Sequence, residues 1–451
     1  MNMRLYRVGK VLLCTLSVLL CACSSKRNIT LPVIAPAEPL QTEVVQQPVL
    51  AEPQPEPDPV AAELEATARP LVNTVERFDA QTDLGRLQMA LDTLCCNPIL
   101  ETTQLGLYIY DLTEDRPLYA VNAGQRMRPA SNQKVITSVA ALHYLGDKYR
   151  FRTDLHIKGT VSQGVLNGDV YVVGGMDPLL SPVDLQEMAL ALKEAGINSI
   201  TGQTYADLTM KDDLQYGWGW CWDDDYGPLS ALMVDGKDNF QQVWNETLSA
   251  NGIDIKEKAV VPQQIPSGTK RIHSSYHTIS EVMIPMMKDS ENIFAECMFY
   301  QIAASSGVKK AGRKQAAKRI DEMVEKQLGL RQKRHQIADG SGLSLYNYTT
   351  AELLVRMLNY AYLNESIRQT FFPTLPIAGV DGTLSKRMID TPAQNNVRAK
   401  TGTVYGISSL SGYCITGFGH LLTFCIINQG VPTSSTGKDF QDKVCITLCQ
   451  K

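Results

Sequence analysis

The sequence predicts an α/β protein in which a smaller, β-rich domain is inserted into a larger one. An alternating segment at 105–112 and a short strand at 118–121, separated by turn residues, indicate a hairpin. Apolar residues then recur at helical spacing from Val135 to Leu145, and Gly146 is a favourable stop. Residues from about 155 to 275 look different, with short strands and many turn residues, which indicates the insertion.

The remaining elements follow in order along the chain. The insertion carries a short strand at 168–173 and a helical stretch at 185–195. Helices and then strands return after it, with helical periodicity at 279–304 and 351–363 and strands at 408–416 and 421–428.

The first residues are typical of a secretory signal peptide. Arg4, Arg7 and Lys10 precede an apolar run at 11–20 that is too short to remain as a membrane-spanning helix. The run ends in L-C-A-C followed by two serines, which is similar to the lipobox of bacterial lipoproteins. We therefore expect a lipoprotein signal peptide at 1–22 and lipidation of Cys23. An ordinary signal peptide that happens to contain cysteines is the alternative, and both would export the protein.

A proline-rich segment separates this signal from the folded part. Nine of the 22 prolines lie between residues 24 and 79, and several alternate with acidic residues. Such a segment stays extended and gives an anchored domain reach. We therefore predict a disordered tether at 23–80, and beyond it a catalytic domain in two parts and the inserted domain. The two parts are predicted at 81–154 and 276–451, and the insertion at 155–275.

Charge and cysteine content exclude some classes of protein. Loss of residues 1–22 would remove three positive charges and no negative one, changing the formal net charge from -4 to -7, so we expect no nucleic-acid partner. The eight cysteines after Cys23 form no zinc pattern, and we expect no metal. Cys95 and Cys96 lie near one end of the folded part and Cys445 and Cys449 near the other. A disulfide between these regions is one option in an oxidising compartment, and the pairing stays open.

Ser131 and Lys134 form an S-x-x-K motif at the start of the predicted helix. This spacing places the hydroxyl and the amine one turn apart on the same helix face. The amine can take the serine proton if burial or a nearby positive charge lowers its pKa. About one such motif is expected by chance in a chain of this size, so a surface helix start is the alternative.

Two further motifs follow in a fixed order. S-E-N begins at Ser290, 159 residues after Ser131, and K-T-G-T begins at Lys400, 110 residues after Ser290. Lys400 and Thr401 are predicted in a strand that reaches Gly402, where a substrate backbone can approach closely. A lysine charge and hydroxyl groups at this place suit a substrate carboxylate.

The three ordered motifs resemble those of the penicilloyl-serine transferases. From about residue 105 to 428, the chain resembles one family in particular, the D-alanyl-D-alanine carboxypeptidase/endopeptidase group of low-molecular-mass (class C) penicillin-binding proteins. The similar segments are R-P-A-S-N at 128–132, V-G-G-M-D-P at 173–178, Y-G-W-G-W at 216–220, N-I-F-A-E at 292–296, D-G-S-G-L-S at 339–344 and D-G-T-L at 381–384.

This resemblance implies a fold and an activity. The fold would be serine β-lactamase/transpeptidase-like, with a mostly antiparallel sheet covered by helices. The activity would be that of a serine-type D-Ala-D-Ala carboxypeptidase, DD-endopeptidase or both, acting without a cofactor on peptidoglycan stem peptides and acylated by β-lactam antibiotics. With the export signal, we expect a lipid-anchored protein that faces the periplasm. Ser24 and Ser25 after the lipidated cysteine are compatible with the outer membrane, and the inner membrane is the alternative.

Carried over residue by residue, the resemblance implies a role for each motif. Ser131 would attack the carbonyl of the penultimate D-alanine, Lys134 would act as general base, and Ser290 would relay a proton to the leaving amine. Asn292 would hydrogen-bond the substrate backbone. The terminal carboxylate would be bound by the third motif, namely Lys400, Thr401, Gly402 and Thr403. Backbone N–H groups of Ser131 and Thr403 would form the oxyanion hole.

Two departures and two alternatives accompany this interpretation. The 159-residue gap is shorter than the insertion usual in the family, so one inserted subdomain is expected to be reduced or missing. Met176 stands where such sequences usually have a glycine. A β-lactamase or esterase of the same fold is one alternative, although no glutamate has the context of a deacylating base. A non-catalytic peptidoglycan-binding module is the other, although all catalytic positions are present.

Three tryptophans at alternate positions, Trp218, Trp220 and Trp222, allow two interpretations. They could stack on sugar rings, but large aromatic side chains are mostly buried, and we predict that they pack a domain face.

Overall fold

The computed structural model describes residues 72–224, 226–331 and 334–450. The predicted signal peptide, Cys23 and most of the predicted tether lie outside the described residues. Across these three ranges, no helix combines the length and the apolar character needed to cross a bilayer.

Strands and helices alternate along the described chain. The strands are β1 (Gln104–Asp111), β2 (Arg116–Val121), β3 (Arg150–Ser162), β4 (Val165–Val173), β5 (Ser199–Ile200), β6 (Thr204–Asp207), β7 (Asp254–Ile255), β8 (Val260–Pro262), β9 (Lys270–Thr278), β10 (Arg398–Val404), β11 (Ile407–Ile415) and β12 (Leu421–Gln429). The helices are α1 (Asp83–Cys95), α2 (Gln133–Leu145), α3 (Pro182–Glu194), α4 (Phe240–Ala250), α5 (Ile279–Lys288), α6 (Asn292–Ala304), α7 (Arg313–Leu328), α8 (Ala351–Leu363), α9 (Glu365–Phe371) and α10 (Ser434–Cys449).

The main sheet joins the two ends of the described chain. Its strand order is β10-β11-β12-β1-β2, and every neighbouring pair is antiparallel. The predicted hairpin of β1 and β2 is confirmed, and so are the two C-terminal strands. Because β12 pairs with β1, the third motif on β10 is brought into the same sheet as the N-terminal hairpin.

Helices cover both faces of this sheet. Tyr108 and Ile427 belong to a core shared with α2 and with α5 to α8. Their neighbours Leu107 and Ile426 belong to a second core, shared with α1 and α10. Successive residues of a strand point to opposite faces, and here both faces are buried. The predicted architecture, a mostly antiparallel sheet covered by helices, is confirmed.

A second sheet accounts for the β-rich character predicted for the insertion. Its main strand order is β7-β5-β4-β3-β9, and β6 and β8 extend it beside β4. The long strands β3, β4 and β9 are antiparallel, whereas the short strands pair in parallel. Helices α3 and α4 pack against it through a third core that includes Leu185 and Trp244. The exact domain boundaries stay predictions.

The helix predicted at 279–304 is wrong as a single element. The structure contains two helices, α5 and α6, separated at 289–291. The cause is local, because Pro285 lies inside α5 and Ser290 has a left-handed backbone with φ +67°. Because both helices bury apolar residues in the same core, the apolar periodicity of the sequence continues across the break. The interruption places Ser290 between the helices.

The cysteines of the described chain are all unpaired. Cys95 of α1 and Cys445 and Cys449 of α10 nevertheless pack in or against the same core. The two cysteine regions that the sequence placed near the ends of the folded part therefore lie on the same side of the main sheet.

Candidate active site

Ser131 lies in a tight 3₁₀ turn, Ala130–Asn132, that leads directly into α2. The preceding residue, Ala130, has φ +49°, a left-handed conformation that is unfavourable for a residue with a Cβ atom. Only glycine can occupy position 342 beside this turn, because a Cβ atom there would come within 1.8 Å of the Ala130 carbonyl oxygen. The serine is thus presented on a strained backbone that the surrounding structure holds in place.

Asn132 fastens the same turn to the main sheet. Its side-chain amide donates to Ser409 Oγ at 2.6 Å and its carbonyl oxygen accepts from Ser411 Oγ. Ser409 Oγ donates in turn to the Pro129 carbonyl oxygen at 2.6 Å. Strand β11 therefore fixes the turn before and after Ser131.

Lys134 follows Ser131 by one helical turn and is completely buried. Its Nζ atom lies 3.0 Å from Ser131 Oγ, 2.6 Å from Asn292 Oδ1 and 2.9 Å from the Ser341 carbonyl oxygen. Burial lowers the pKa of Lys134 to about 7, against the opposing effect of the nearby carboxylates. A substantial fraction of this amine is therefore neutral at neutral pH.

The three partners of Lys134 differ in hydrogen-bonding capacity. The Asn292 and Ser341 oxygens can only accept, whereas the Ser131 hydroxyl can also donate. When Lys134 is neutral, its two N–H groups are matched by the two acceptors. Its free electron pair is then left facing the Ser131 hydroxyl, which is the geometry of a general base beside a nucleophile.

Ser290 lies at the break between α5 and α6 and contacts a second buried lysine. Lys400 Nζ donates to Ser290 Oγ at 2.8 Å and to the Thr401 carbonyl oxygen at 2.9 Å. Burial lowers the pKa of Lys400 well below its usual range, and the charge of Lys134 lowers it further. The site thus contains two serine–lysine pairs.

The glycine of the third motif is needed for packing within the protein. We expected Gly402 to let a substrate backbone approach, which stays a prediction, and the structure adds a close neighbour in the segment that carries Ser131. A Cβ atom at Gly402 would lie 2.3 Å from Ser409 Oγ, 2.8 Å from Pro129 O and 3.0 Å from Ser131 N. Gly402 therefore allows β10 to pack against the turn before Ser131.

Four of the predicted residues, Ser131, Ser290, Thr401 and Thr403, open onto one cleft of about 420 Å³. Its lining residues are Ser131, Ser290, Thr383, Arg387, Thr401, Thr403 and Lys438. Thr401 Oγ1 donates to Thr383 Oγ1 at 2.8 Å, so the D-G-T-L segment supports the third motif. A larger cavity of about 700 Å³ lies against β6 and β8, and none of its lining residues belongs to the three motifs.

Two protein groups, Lys134 and Tyr226, fix the orientation of the Asn292 side chain. Its Oδ1 accepts from Lys134, and its amide donates to the Tyr226 hydroxyl at 2.7 Å. Lys400 is also completely buried, whereas Thr401 and Thr403 are open to the cleft. The structure thus brings the predicted residues together, but it places Asn292 against Lys134 and Lys400 against Ser290. The substrate roles implied for them stay predictions.

Sequence reasoning assigned no catalytic role to the 339–344 loop, although the family similarity indicated that it lines or supports the cleft. The Ser341 carbonyl contacts Lys134, and Asp339 accepts from the Trp220 indole N–H at 3.0 Å. The D-G-S-G-L-S similarity was the available signal. The contact itself could not be predicted, because it is made by a backbone carbonyl that every residue has.

We predicted that the tryptophans pack a domain face. This prediction is confirmed for Trp220, which packs against the core, and is wrong for Trp222, which is 97% exposed.

Met176 also shows why a glycine is usual at its position. The residue has φ +51° and is completely buried in the core beside the helices. A glycine would adopt this backbone without strain. The methionine therefore combines an unfavourable backbone with a large buried side chain.

Comparison with known proteins gives a consistent result. A model of the D-Ala-D-Ala carboxypeptidase 3 (S13) family matches residues 87–237 and 227–450. The D-alanyl-D-alanine carboxypeptidase of Actinomadura sp. (strain R39) is 27% identical over 446 residues, covering 77% of this chain and 81% of that protein. The D-alanyl-D-alanine carboxypeptidase DacB of Haemophilus influenzae is 24% identical over 417 residues, covering 74% and 87%.

Solved structures share the fold. The crystal structure of penicillin binding protein 4 (dacB) from Haemophilus influenzae matches with a TM-score of 0.70 at 22% identity, covering 82% of this chain and 98% of that one. A second structure of that protein, complexed with a novel β-lactam, matches with a TM-score of 0.66. The predicted penicillin-binding-protein type of α/β fold is confirmed.

Proposed function

This chain belongs to the D-Ala-D-Ala carboxypeptidase 3 (S13) family, and from that premise we propose how its own residues perform the reaction. Membership makes the chain a serine-type D-Ala-D-Ala carboxypeptidase of the penicillin-binding class. We propose that its substrates are peptidoglycan stem peptides, both free and cross-linked, and that Ser131 forms the acyl-enzyme.

The contacts of Lys134 carry this proposal. In the neutral form the amine takes the Ser131 proton as Oγ attacks the carbonyl of the penultimate D-alanine. The backbone N–H groups of Ser131 and Thr403 stabilise the oxyanion. Lys134 can take the proton without the help of a further residue, because its Nζ lies 3.0 Å from the Ser131 hydroxyl and its other two partners only accept hydrogen bonds.

Ser290 and Lys400 serve the leaving group and the carboxylate. Ser290 donates its hydroxyl proton to the departing amine and takes a proton from the ammonium group of Lys400, whose Nζ lies 2.8 Å from that hydroxyl. Thr401 and Thr403 hydrogen-bond the terminal carboxylate from the cleft wall, and Gly402 keeps their strand against Ser131. A substrate carboxylate favours the charged form of Lys400, so substrate binding and proton supply are coupled.

The β-lactamase alternative is less well supported. Fast release of a penicilloyl group needs a base for the attacking water. No residue among the described lining of the cleft carries a carboxylate. We therefore expect β-lactams to be trapped on Ser131 and not turned over quickly.

Intact mass spectrometry of the purified full chain after brief exposure to benzylpenicillin tests the reaction. We expect one stable adduct, absent from Ser131→Ala, and D-alanine release from stem peptides by the wild type alone. Antibiotic destroyed without an adduct would favour a β-lactamase. No adduct, intact antibiotic and unchanged stem peptides would favour a binding module.

The cellular location is part of the same proposal. A lipid on Cys23 and the tether at 23–80 would let the enzyme reach peptidoglycan from the outer membrane. Detergent phase partitioning of the exported full chain provides the check, with Cys23→Ser as the matched variant. We expect only the wild type in the detergent phase, and equal partitioning would contradict the anchor.

A further inference from the structure

The turn at 339–342 supplies one of the two acceptors of the base. The Ser341 carbonyl oxygen accepts from Lys134 Nζ at 2.9 Å. The N–H of Ser341 donates to Glu296 Oε1 at 2.9 Å, and the N–H of Gly340 donates to the same oxygen at 3.1 Å. Glu296 therefore holds the backbone of the residue whose carbonyl contacts the base.

Helix α6 carries the residues that position both hydrogen-bond acceptors of Lys134. Asn292 begins this helix and Glu296 follows four residues later, so the two side chains lie one turn apart on the same face. Asn292 contacts Lys134 directly, whereas Glu296 acts through Ser341. Glu296 and Ser341 are both buried, so water does not compete for these hydrogen bonds.

We propose that Glu296 is a positioning residue for acylation, which holds the Ser341 carbonyl on Lys134 and thereby aims the free electron pair of the amine at Ser131. This inference rests on the proposed function, because it takes Lys134 as the base. An amine that lost the Ser341 acceptor could rotate about its last bond and turn its electron pair away from the hydroxyl. The remaining acceptor, Asn292, would not prevent that rotation.

Glu296 also acts on Lys134 through its charge. The carboxylates of Asp339, Glu296 and Glu291 all raise the pKa of Lys134 and partly oppose the effect of burial. Burial and the charge of Asp339 raise the pKa of Glu296 itself, while its backbone hydrogen bonds lower it. The buried Lys400 also lies close enough to Lys134 for the charge of Lys134 to lower its pKa. A test must therefore separate position from charge.

Two substitutions of Glu296 achieve that separation. Glu296→Gln keeps an oxygen within reach of the Gly340 and Ser341 N–H groups but removes the ionisable group. Glu296→Asp keeps the ionisable carboxyl group but withdraws it by about one bond length. Asp207→Ala is the control, because Asp207 is also buried and accepts from the backbone N–H groups of Thr209 and Ile265, within the second sheet.

The measurements are the pH profile of acylation by benzylpenicillin and the kcat and KM for D-alanine release, with thermal unfolding of each variant. We expect Glu296→Asp to lower the plateau acylation rate and kcat by roughly tenfold to a hundredfold, with KM changed less than about twofold. Glu296→Gln should keep the plateau within about threefold, because it keeps an acceptor for the Gly340 and Ser341 N–H groups. Asp207→Ala should keep wild-type rates.

Several outcomes would overturn the proposal. A larger loss in Glu296→Gln than in Glu296→Asp would assign the effect to charge. Wild-type rates in Glu296→Asp would show that Glu296 has no positioning role. A loss of rate in Asp207→Ala equal to that in Glu296→Asp would indicate general destabilisation. Failure of the wild type to form an acyl-enzyme would instead reject the proposed function on which this inference rests.

Discussion

Lys400 Nζ lies 2.8 Å from Ser290 Oγ, and the two residues are 110 positions apart in the sequence. This pair repeats the arrangement of Lys134 and Ser131, whose atoms lie 3.0 Å apart within a single helical turn. Burial lowers the pKa of both lysines, to about 7 for Lys134 and well below its usual range for Lys400. One pair is built by local helix geometry and the other only by the fold.

Acylation should depend on pH through Lys134. Its neutral form is the active one, so the rate should fall as pH decreases below about 7, by about tenfold per pH unit, and level off above. Stopped-flow acylation by a chromogenic cephalosporin between pH 5 and 9 measures this profile. Ser131→Ala should show no acylation at any pH, and a rate that still rises steeply at pH 9 would contradict the lowered pKa.

Replacement of Ser290 by glycine should destabilise the protein less than replacement by alanine, but both variants should lose activity. Its φ of +67° is strained for any residue with a Cβ atom, so Ser290→Gly should be about 1 kcal/mol more stable than Ser290→Ala in urea unfolding. Both variants lack the hydroxyl, and D-alanine release should fall roughly a hundredfold in each. Activity in Ser290→Gly close to that of the wild type would exclude the proton relay.

Gly402→Ala should abolish most activity without touching a catalytic side chain. The added Cβ would lie 3.0 Å from Ser131 N and closer still to Ser409 Oγ, so β10 must move away from the nucleophile. We expect acylation to fall roughly a hundredfold or more. Gly227→Ala is the control, since a Cβ there meets nothing within 4 Å. Equal rates in the two variants would show that this contact does not matter.

Met176→Gly should destabilise the protein although it relieves backbone strain. Loss of a buried methionine side chain costs about 2–5 kcal/mol, whereas the left-handed backbone costs only about 1–2 kcal/mol. The buried side chain should dominate, giving a net loss of about 2 kcal/mol in urea unfolding. Asp235→Gly, at an exposed position with φ +51°, should change stability by less than about 0.5 kcal/mol. A more stable Met176→Gly would show that strain is the larger effect.

The sequence by itself determined the order of the three motifs, the family and most elements of the main sheet. Periodicity is a local property, so the hairpin of β1 and β2 and the helix after Ser131 followed from side-chain patterns. The S-x-x-K pair is also local, because helix geometry alone brings Lys134 beside Ser131. The break at Ser290 was missed, since apolar spacing continued across it and the left-handed backbone of a serine leaves no pattern.

Only the tertiary structure decided which groups complete the site. The approach of β10 to Ser131, the contact between Lys400 and Ser290, and the Ser341 carbonyl on Lys134 all join residues more than 100 positions apart. Burial, which lowers the pKa of both lysines, is likewise a property of the packed core. Such contacts depend on close packing and on backbone groups that every residue shares, so the motifs name some of these residues but do not show how they contact one another.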